Sequence, residues 1–309
     1  MNKKIVCFGE VLWDMLPKEL GGKLPGGAPM NVAYHLNCLG VNTKIVSRVG
    51  NDILGTELTG FLAQKEVSTQ FIQTDTYLPT GFVDVTLDEK GSPSYKIVQP
   101  VAWDNILLTE DVKKAVSEAD AFVYGSLVCR TDVSKQTLLE LINLSKCPVF
   151  DVNLRTPFYS KEIIEQLLKK ATIAKMNEFE LDIISDWYGS ERGFLERIKC
   201  LQTLFEIKTL IVSHGSVGAY CFENNTLYFQ KSYSVKVKDT IGSGDAFLAA
   251  FLSEKIIGNQ IPDCLKKACA LGAFVATQTG ATPAIDKEKL EDFILKTHTE
   301  TLKVSRLAP

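Results

Sequence analysis

Short apolar runs rich in Val and Ile alternate with helical patterns through most of the chain. The runs Ile5 to Gly9, Lys44 to Val49, Ala121 to Tyr124, Pro148 to Val152, Thr172 to Met176 and Thr209 to Ser213 are brief and bounded by turn-forming residues. Such runs predict parallel strands covered on both faces. Between them lie amphipathic segments such as Val133 to Leu144, with Val133, Leu138, Leu141 and Ile142 expected on one buried side. Strand and helix in alternation predict an α/β fold, a doubly wound and mostly parallel sheet flanked by helices.

Three regions break the alternation. Gly21 to Pro29 is a glycine and proline cluster feeding a helix, with Pro29 near its first turn and Gly40 just past its end. From Thr80 to Gln99, Val83, Val85 and Leu87 alternate with polar residues, a Glu-Lys-Gly-Ser turn follows, and Tyr95 and Ile97 resume the period of two. That pattern predicts an antiparallel hairpin with one solvated face, a small β lid over a cleft. The stretch from Gly244 to Lys296 reads as almost wholly helical. No repeat, low-complexity segment or linker interrupts the chain, so residues 1–309 are expected to form one domain with an inserted lid around residues 80–99.

Charge narrows the classes. With 34 basic and 37 acidic residues the net charge is −3, so no basic surface recommends nucleic acid as a partner. No run approaches the roughly 18 apolar residues of a membrane span. Glu10 and Asp14 interrupt the apolar N-terminus, which argues against a secretory signal. The eight cysteines include no C-x-x-C and read as reduced, mostly buried residues, giving a cytoplasmic expectation.

The sharpest local feature is Asp239-Thr240-Ile241-Gly242-Ser243-Gly244-Asp245-Ala246-Phe247. Two glycines let successive amides converge where a helix begins, which makes a site for phosphate-like charge. Asp245 would stand at that helix start, where the dipole favours its ionised form. An acid inside an anion hole makes sense if a hydroxyl must lose its proton beside a transferring phosphoryl group. The plain alternative is an Asp cap, with the glycines ending the preceding strand. No G-x-x-x-x-G-K-[ST] occurs, and no G-x-G-x-x-G follows the first strand, so P-loop and dinucleotide-binding readings lose support.

These residues resemble the C-terminal signature of the PfkB, or ribokinase-like, carbohydrate kinases. Pro25-Gly26-Gly27-Ala28-Pro29-Met30-Asn31-Val32-Ala33 resembles the family's N-terminal glycine motif, and Asn177-Glu178-Phe179-Glu180 its Asn-x-x-Glu element. The resemblance spans essentially the whole chain and implies a ribokinase-like fold. It implies that Asp245 is the base, with Gly242, Ser243 and Gly244 forming the anion hole, although Ser243 stands where the family usually has Ala and Ile241 where Thr is frequent. Gly26, Gly27, Asn31 and Asp14 would meet the sugar; without the resemblance, Asn31 reads as a helix-surface amide and Asp14 as a loop cap. Asn177, Ser213, Gly215, Gly218 and Gly244 would meet ATP, with Ser213 replacing a more usual Thr. Glu180 would hold Mg2+ through water, the alternative being a solvated acidic face. A K+ site is implied at Asp239, the Ile241 carbonyl and Gly280. His214 is expected to be an exposed loop residue, and no histidine chemistry is assigned.

Asp151-Val152-Asn153-Leu154-Arg155 is similar to fructokinases and to 2-keto-3-deoxygluconate kinases, and Arg155 could hold a substrate carboxylate, support the phosphate, or simply pair with Asp151. The start Gly9-Glu10-Val11-Leu12-Trp13-Asp14 looks more like fructokinases. The resemblance therefore implies ATP-dependent phosphorylation of D-fructose at its 6-hydroxyl, with ketodeoxygluconate as the alternative substrate, while the alternating lid strands offer an edge or face for a second chain and predict a homodimer through the lids. A non-catalytic sugar sensor on the same scaffold is the rival of a different class; retention of Asp245 with its whole loop argues for the enzyme.

Overall fold

All six apolar runs become neighbouring strands in the middle of one large sheet. The computed structural model describes residues 3–17, 22–87, 93–189, 193–285, 287–296 and 301–304. In chain order the strands are β1 (Lys4–Phe8), β2 (Leu12–Met15), β3 (Lys23–Gly26), β4 (Asn42–Gly50), β5 (Ser68–Asp75), β6 (Phe82–Leu87), β7 (Pro93–Ile97), β8 (Ala121–Gly125), β9 (Pro148–Asp151), β10 (Ile173–Asn177), β11 (Thr209–His214), β12 (Gly218–Glu223), β13 (Thr226–Lys231) and β14 (Thr301–Val304). The helices are α1 (Ala28–Cys38), α2 (Ile53–Gln64), α3 (Glu110–Glu118), α4 (Asp132–Leu144), α5 (Lys161–Leu168), α6 (Glu178–Asp186), α7 (Phe194–Phe205), α8 (Ser243–Lys255), α9 (Ile261–Ala276) and α10 (Lys287–Lys296).

Among the described residues the large sheet has the order β14-β13-β12-β11-β10-β9-β8-β1-β4-β5. It is parallel from β11 through β5 and antiparallel along its β12–β13–β14 edge. Alternation along β1 sends Ile5 and Cys7 to one apolar layer and Val6 and Phe8 to the other. The first layer packs α1, α8 and α9 through Met30, Leu36, Phe251 and Leu271. The second packs α4 to α7 through Leu138, Leu167, Ile184 and Leu201. Strand order reverses on either side of β1, and the carboxyl ends there open the crevice in which doubly wound sheets bind ligands.

Two expectations need correction. Val133 is 42% exposed, and the buried side of α4 is Ser134, Thr137, Leu138, Leu141 and Ile142. The two hydroxyls earn that place by donating to the carbonyls of Trp103 and Ile106, at 2.9 and 2.8 Å, so hydropathy alone misplaced the face.

The second correction concerns the lid. Strands β6 and β7 do pair antiparallel, Val83 with Ile97 and Val85 with Tyr95, but they form half of a four-stranded sheet ordered β3-β2-β6-β7. Leu12, Val83 and Val85 make its small apolar face, whereas Tyr95 is 57% exposed. Strand β2 runs parallel to β6, so the chain just after β1 belongs to the small sheet. The Glu89–Ser92 turn and the side chain of Leu87 lie outside the described residues. No helix among the described residues is long and apolar enough to cross a membrane.

Candidate active site

The N-terminal glycine motif is shaped by close backbone approach. Gly27 precedes α1 at φ +113°, and a Cβ there would stand 2.3 Å from the Glu10 carbonyl oxygen, so only glycine fits. Pro29 lies in the first turn of α1, where its missing N–H costs nothing. Asp14 projects from β2 over Gly26, close enough that a Cβ at Gly26 would meet its Oδ2 at 2.6 Å. Asn31 is buried in the first turn of α1 and its Nδ2 donates to Asp245 Oδ2 at 2.8 Å. Its Oδ1 is buried with no partner.

The C-terminal loop builds the opposite wall. Gly242 caps α8 at φ +75°, with the Ala281 backbone only 2.6 Å from where a Cβ would sit. The Ser243 hydroxyl donates to the Gly272 carbonyl of α9 at 2.9 Å, so this replacement ties two helices together, and the Ser243 amide, expected in the anion hole, instead donates to the Thr240 carbonyl at 3.2 Å. Asp239 accepts from the Ile241 amide through Oδ1 and from the Gly280 amide through Oδ2, both at 3.0 Å. Three separately predicted residues are thereby brought to one place.

Between these walls lie the ends of β9 and β10. Asp151 is paired with Lys175, Nζ to Oδ1 at 3.0 Å, and both are buried; the expected alternative of an Asp151–Arg155 pair is replaced by this one. Arg155 is exposed and donates to the Leu154 carbonyl at 3.1 Å. Glu180 is buried rather than part of a solvated face. Its Oε1 accepts from the Leu154 amide at 2.8 Å and its Oε2 from the Asn177 amide at 2.9 Å. Asn177 Oδ1 in turn accepts from the Glu180 amide at 2.9 Å, a reciprocal cap on α6.

Asn177 stands beside Ser213 in the β10–β11 register. Gly215 and Gly218, at φ +48° and +142°, shape the turn into β12. His214 is half-buried, contacting the Glu178 carboxylate and the Phe194 ring, and not the exposed residue expected. Among the described residues no group of three or more His, Cys, Asp or Glu side chains is arranged to hold a metal.

Burial dominates the electrostatics. It pushes Glu10 up to about 7, Asp14 to about 6 and Asp245 to about 6, with Arg155 opposing the rise in each case. For Asp245 the Asp151 charge adds to the rise, while Lys175, the Asn31 hydrogen bond and Arg155 pull the other way. The helix dipole invoked from the sequence is therefore not what sets this carboxyl. It remains ionised at neutral pH but close to its titration range.

Sequence reasoning passed over Glu10 and Lys175. Glu10 Oε1 accepts from the Ala28 amide at 3.3 Å and its Oε2 has no partner. The available signal was a charged residue inside an otherwise apolar stretch, Glu10 after β1 and Lys175 within Ile-Ala-Lys-Met-Asn.

Fold and site together define a phosphotransferase with an alcohol group as acceptor. The chain matches the pfkB family carbohydrate kinases over residues 2–288 and belongs to that family, with its ribokinase-like fold. An uncharacterized sugar kinase of Pyrococcus horikoshii is 30% identical over 305 residues, covering 93% of this chain and 94% of that one. Its crystal structure superposes with a TM-score of 0.79 over 96% of this chain and 99% of its own. A fructokinase of Solanum tuberosum is 28% identical over 314 residues, covering 94% and 95% of the two chains. A double mutant of Vibrio cholerae fructokinase, crystallised with fructose, ADP and potassium ion, superposes at TM-score 0.82 and 25% identity over 95% of this chain and 98% of its own. A carbohydrate is accordingly the phosphoryl acceptor.

The raised carboxyl gives a stability prediction. A folded-state pKa above the unfolded value means that Asp245 supports folding at low pH, and that this support is lost as pH rises through about 6. Asp245→Asn should therefore raise the unfolding midpoint at pH 8 by about 2 °C or more, with the gap closing below about pH 4. Calorimetric scans of both proteins from pH 4 to 8 check this; an equal gap at all pH values would contradict it.

Proposed function

We propose that this chain is a fructokinase, transferring the γ-phosphoryl group of ATP to the 6-hydroxyl of D-fructose. The observation that carries the reading is the 2.8 Å contact between Asn31 and Asp245, which joins the sugar motif to the acid of the glycine loop. Asp14, Gly26, Gly27, Asn31 and Arg155 line the sugar side. Asp14 adds negative charge there, and Glu10, pushed up to about 7 by burial, adds a partial one, which favours a neutral polyol over a sugar acid.

Asp245 takes the proton of the sugar hydroxyl as the oxygen forms its bond to the γ-phosphorus. The bond from that phosphorus to the β,γ-bridging oxygen breaks, and ADP leaves with the electron pair. Backbone amides of Gly242, Gly244 and Asp245 would face the charge of the migrating group, while the Ser243 amide donates to the Thr240 carbonyl at 3.2 Å. Asn177, Ser213, Gly215 and Gly218 lie along the nucleotide side. The small sheet covers the sugar and excludes water, which suppresses ATP hydrolysis.

Mg2+, when bound, would neutralise charge on the nucleotide phosphates, with Glu180 holding it through water. The residues fit it: one carboxylate with substrate phosphates suffices, and each Glu180 oxygen keeps a lone pair beyond its backbone contact for a metal-bound water. Asp239, the Ile241 carbonyl and Gly280 make the candidate K+ site. Asp84, Thr86 and Lys96 share one exposed face of β6 and β7, through which a second copy would pair.

An ADP-release assay with fructose, ketodeoxygluconate, ribose, tagatose and adenosine tests the reaction. Fructose should turn over fastest, and Asp245→Asn should lower kcat by about 10²–10⁴-fold. Turnover on ketodeoxygluconate alone would make Arg155 a carboxylate ligand, and silence on every sugar with binding intact would favour the sensor. At constant ionic strength, activity should be higher in potassium than in tetramethylammonium salts; equal rates would remove the K+ site. Light scattering at micromolar protein should give twice the 34.2 kDa chain mass, and the monomer mass would remove the lid dimer.

A further inference from the structure

Alternation along β10 turns Ile173, Lys175 and Asn177 toward the layer of α1, α8 and α9, while Ala174 and Met176 face the other. Lys175 thereby carries a buried ammonium up under the first turn of α8. Asp151 holds it at 3.0 Å, and the charges of Glu180 and Asp245 also favour its protonated form against the cost of burial. Asp151 Oδ2 is left without a partner.

A buried ion pair is a poor device for stability, since well-packed apolar side chains do as well or better. This pair stands instead at one particular place. Gly244 adopts no positive φ, so nothing in its own conformation demands glycine; yet a Cβ there would stand 3.1 Å from Lys175 Nζ. Alanine is the better helix former, so glycine at this position keeps the backbone close to the ammonium. The amide nest and the acid of the glycine loop sit on that same turn.

We propose that Lys175 is a positioning residue for phosphoryl transfer, its ammonium fixed by Asp151 behind Gly244 so that a permanent positive charge backs the turn bearing the anion hole and Asp245. The inference rests on the phosphotransfer reading above. It separates two jobs that a buried lysine here could have. If Lys175 only neutralised Asp151, neutralising both residues together would remove the need for it. If it serves the developing phosphoryl charge, no such compensation exists.

The test compares Lys175→Met, Asp151→Asn and the double variant with the unaltered protein, at a temperature where circular dichroism shows all four folded. Unfolding midpoints, kcat, KM for sugar and ATP, and the extra thermal shift that aluminium fluoride gives over ADP alone are measured. Lys175→Met should lose both stability and rate. The double variant should recover most of the midpoint, yet keep a kcat about 10²–10³-fold below the unaltered protein and lose the aluminium fluoride increment. Its KM for sugar should change by no more than about threefold, as expected for a group that acts mainly in the transition state.

A double variant with restored kcat, or one that keeps the aluminium fluoride increment, would overturn the proposal. Should the unaltered protein phosphorylate no sugar yet show the increment, and the double variant lose it, the substrate reading would fail and the place of Lys175 would stand.

Discussion

A single hydrogen bond, from Asn31 to Asp245, closes two helices onto one point although the residues stand 214 positions apart. It can form only because α1 and α8 pack on the same face of the sheet and begin at the same edge. Each beginning depends on a glycine with no room for a side chain, Gly27 against the Glu10 carbonyl and Gly242 against the Ala281 backbone. The large sheet supplies the common edge, and its two apolar layers keep both helices from sliding. Most of the fold can be read as the means of holding that bond to one length.

The site also has to keep a carboxylate in a nest suited to anions. Backbone amides and helix ends favour the charged form, but burial and the nearby Asp151 act against it and prevail, leaving Asp245 near the lower edge of neutrality. A carboxylate so placed is a stronger base than an exposed one and is still ionised where cells operate. The arrangement costs stability, as functional sites commonly do.

The sequence made the parallel strands and the motif-bearing loops legible, because six apolar runs bounded by turn residues have few other uses. The antiparallel edge was less so: β12 and β13 carry Tyr220, Tyr228 and Gln230 among their apolar residues, a pattern that a short window does not separate from a loop. Half of the small sheet was missed for a different reason. Strands β2 and β3 have four residues each, β3 contains Pro25 and Gly26, and β2 finds its neighbour β6 far along the chain. No local period reports such a pairing. Within the site, motif residues were legible as types at fixed spacing, whereas Glu10 and Lys175 matter through what surrounds them. Partners such as Asp151 and Gly244 become neighbours only after folding.

Asp14 and Gly26 belong to the small sheet, while the glycine loop and Asp245 belong to α8, packed on the large one. In the proposed reading, Asp14 and Gly26 are thereby housed apart from the loop that handles phosphate, while Asn31 and Arg155 stay with the large sheet. Such a division would let changes in the small sheet alter part of what is accepted without touching the glycine loop. A lineage built this way can diversify in what it accepts while conserving what it does to it.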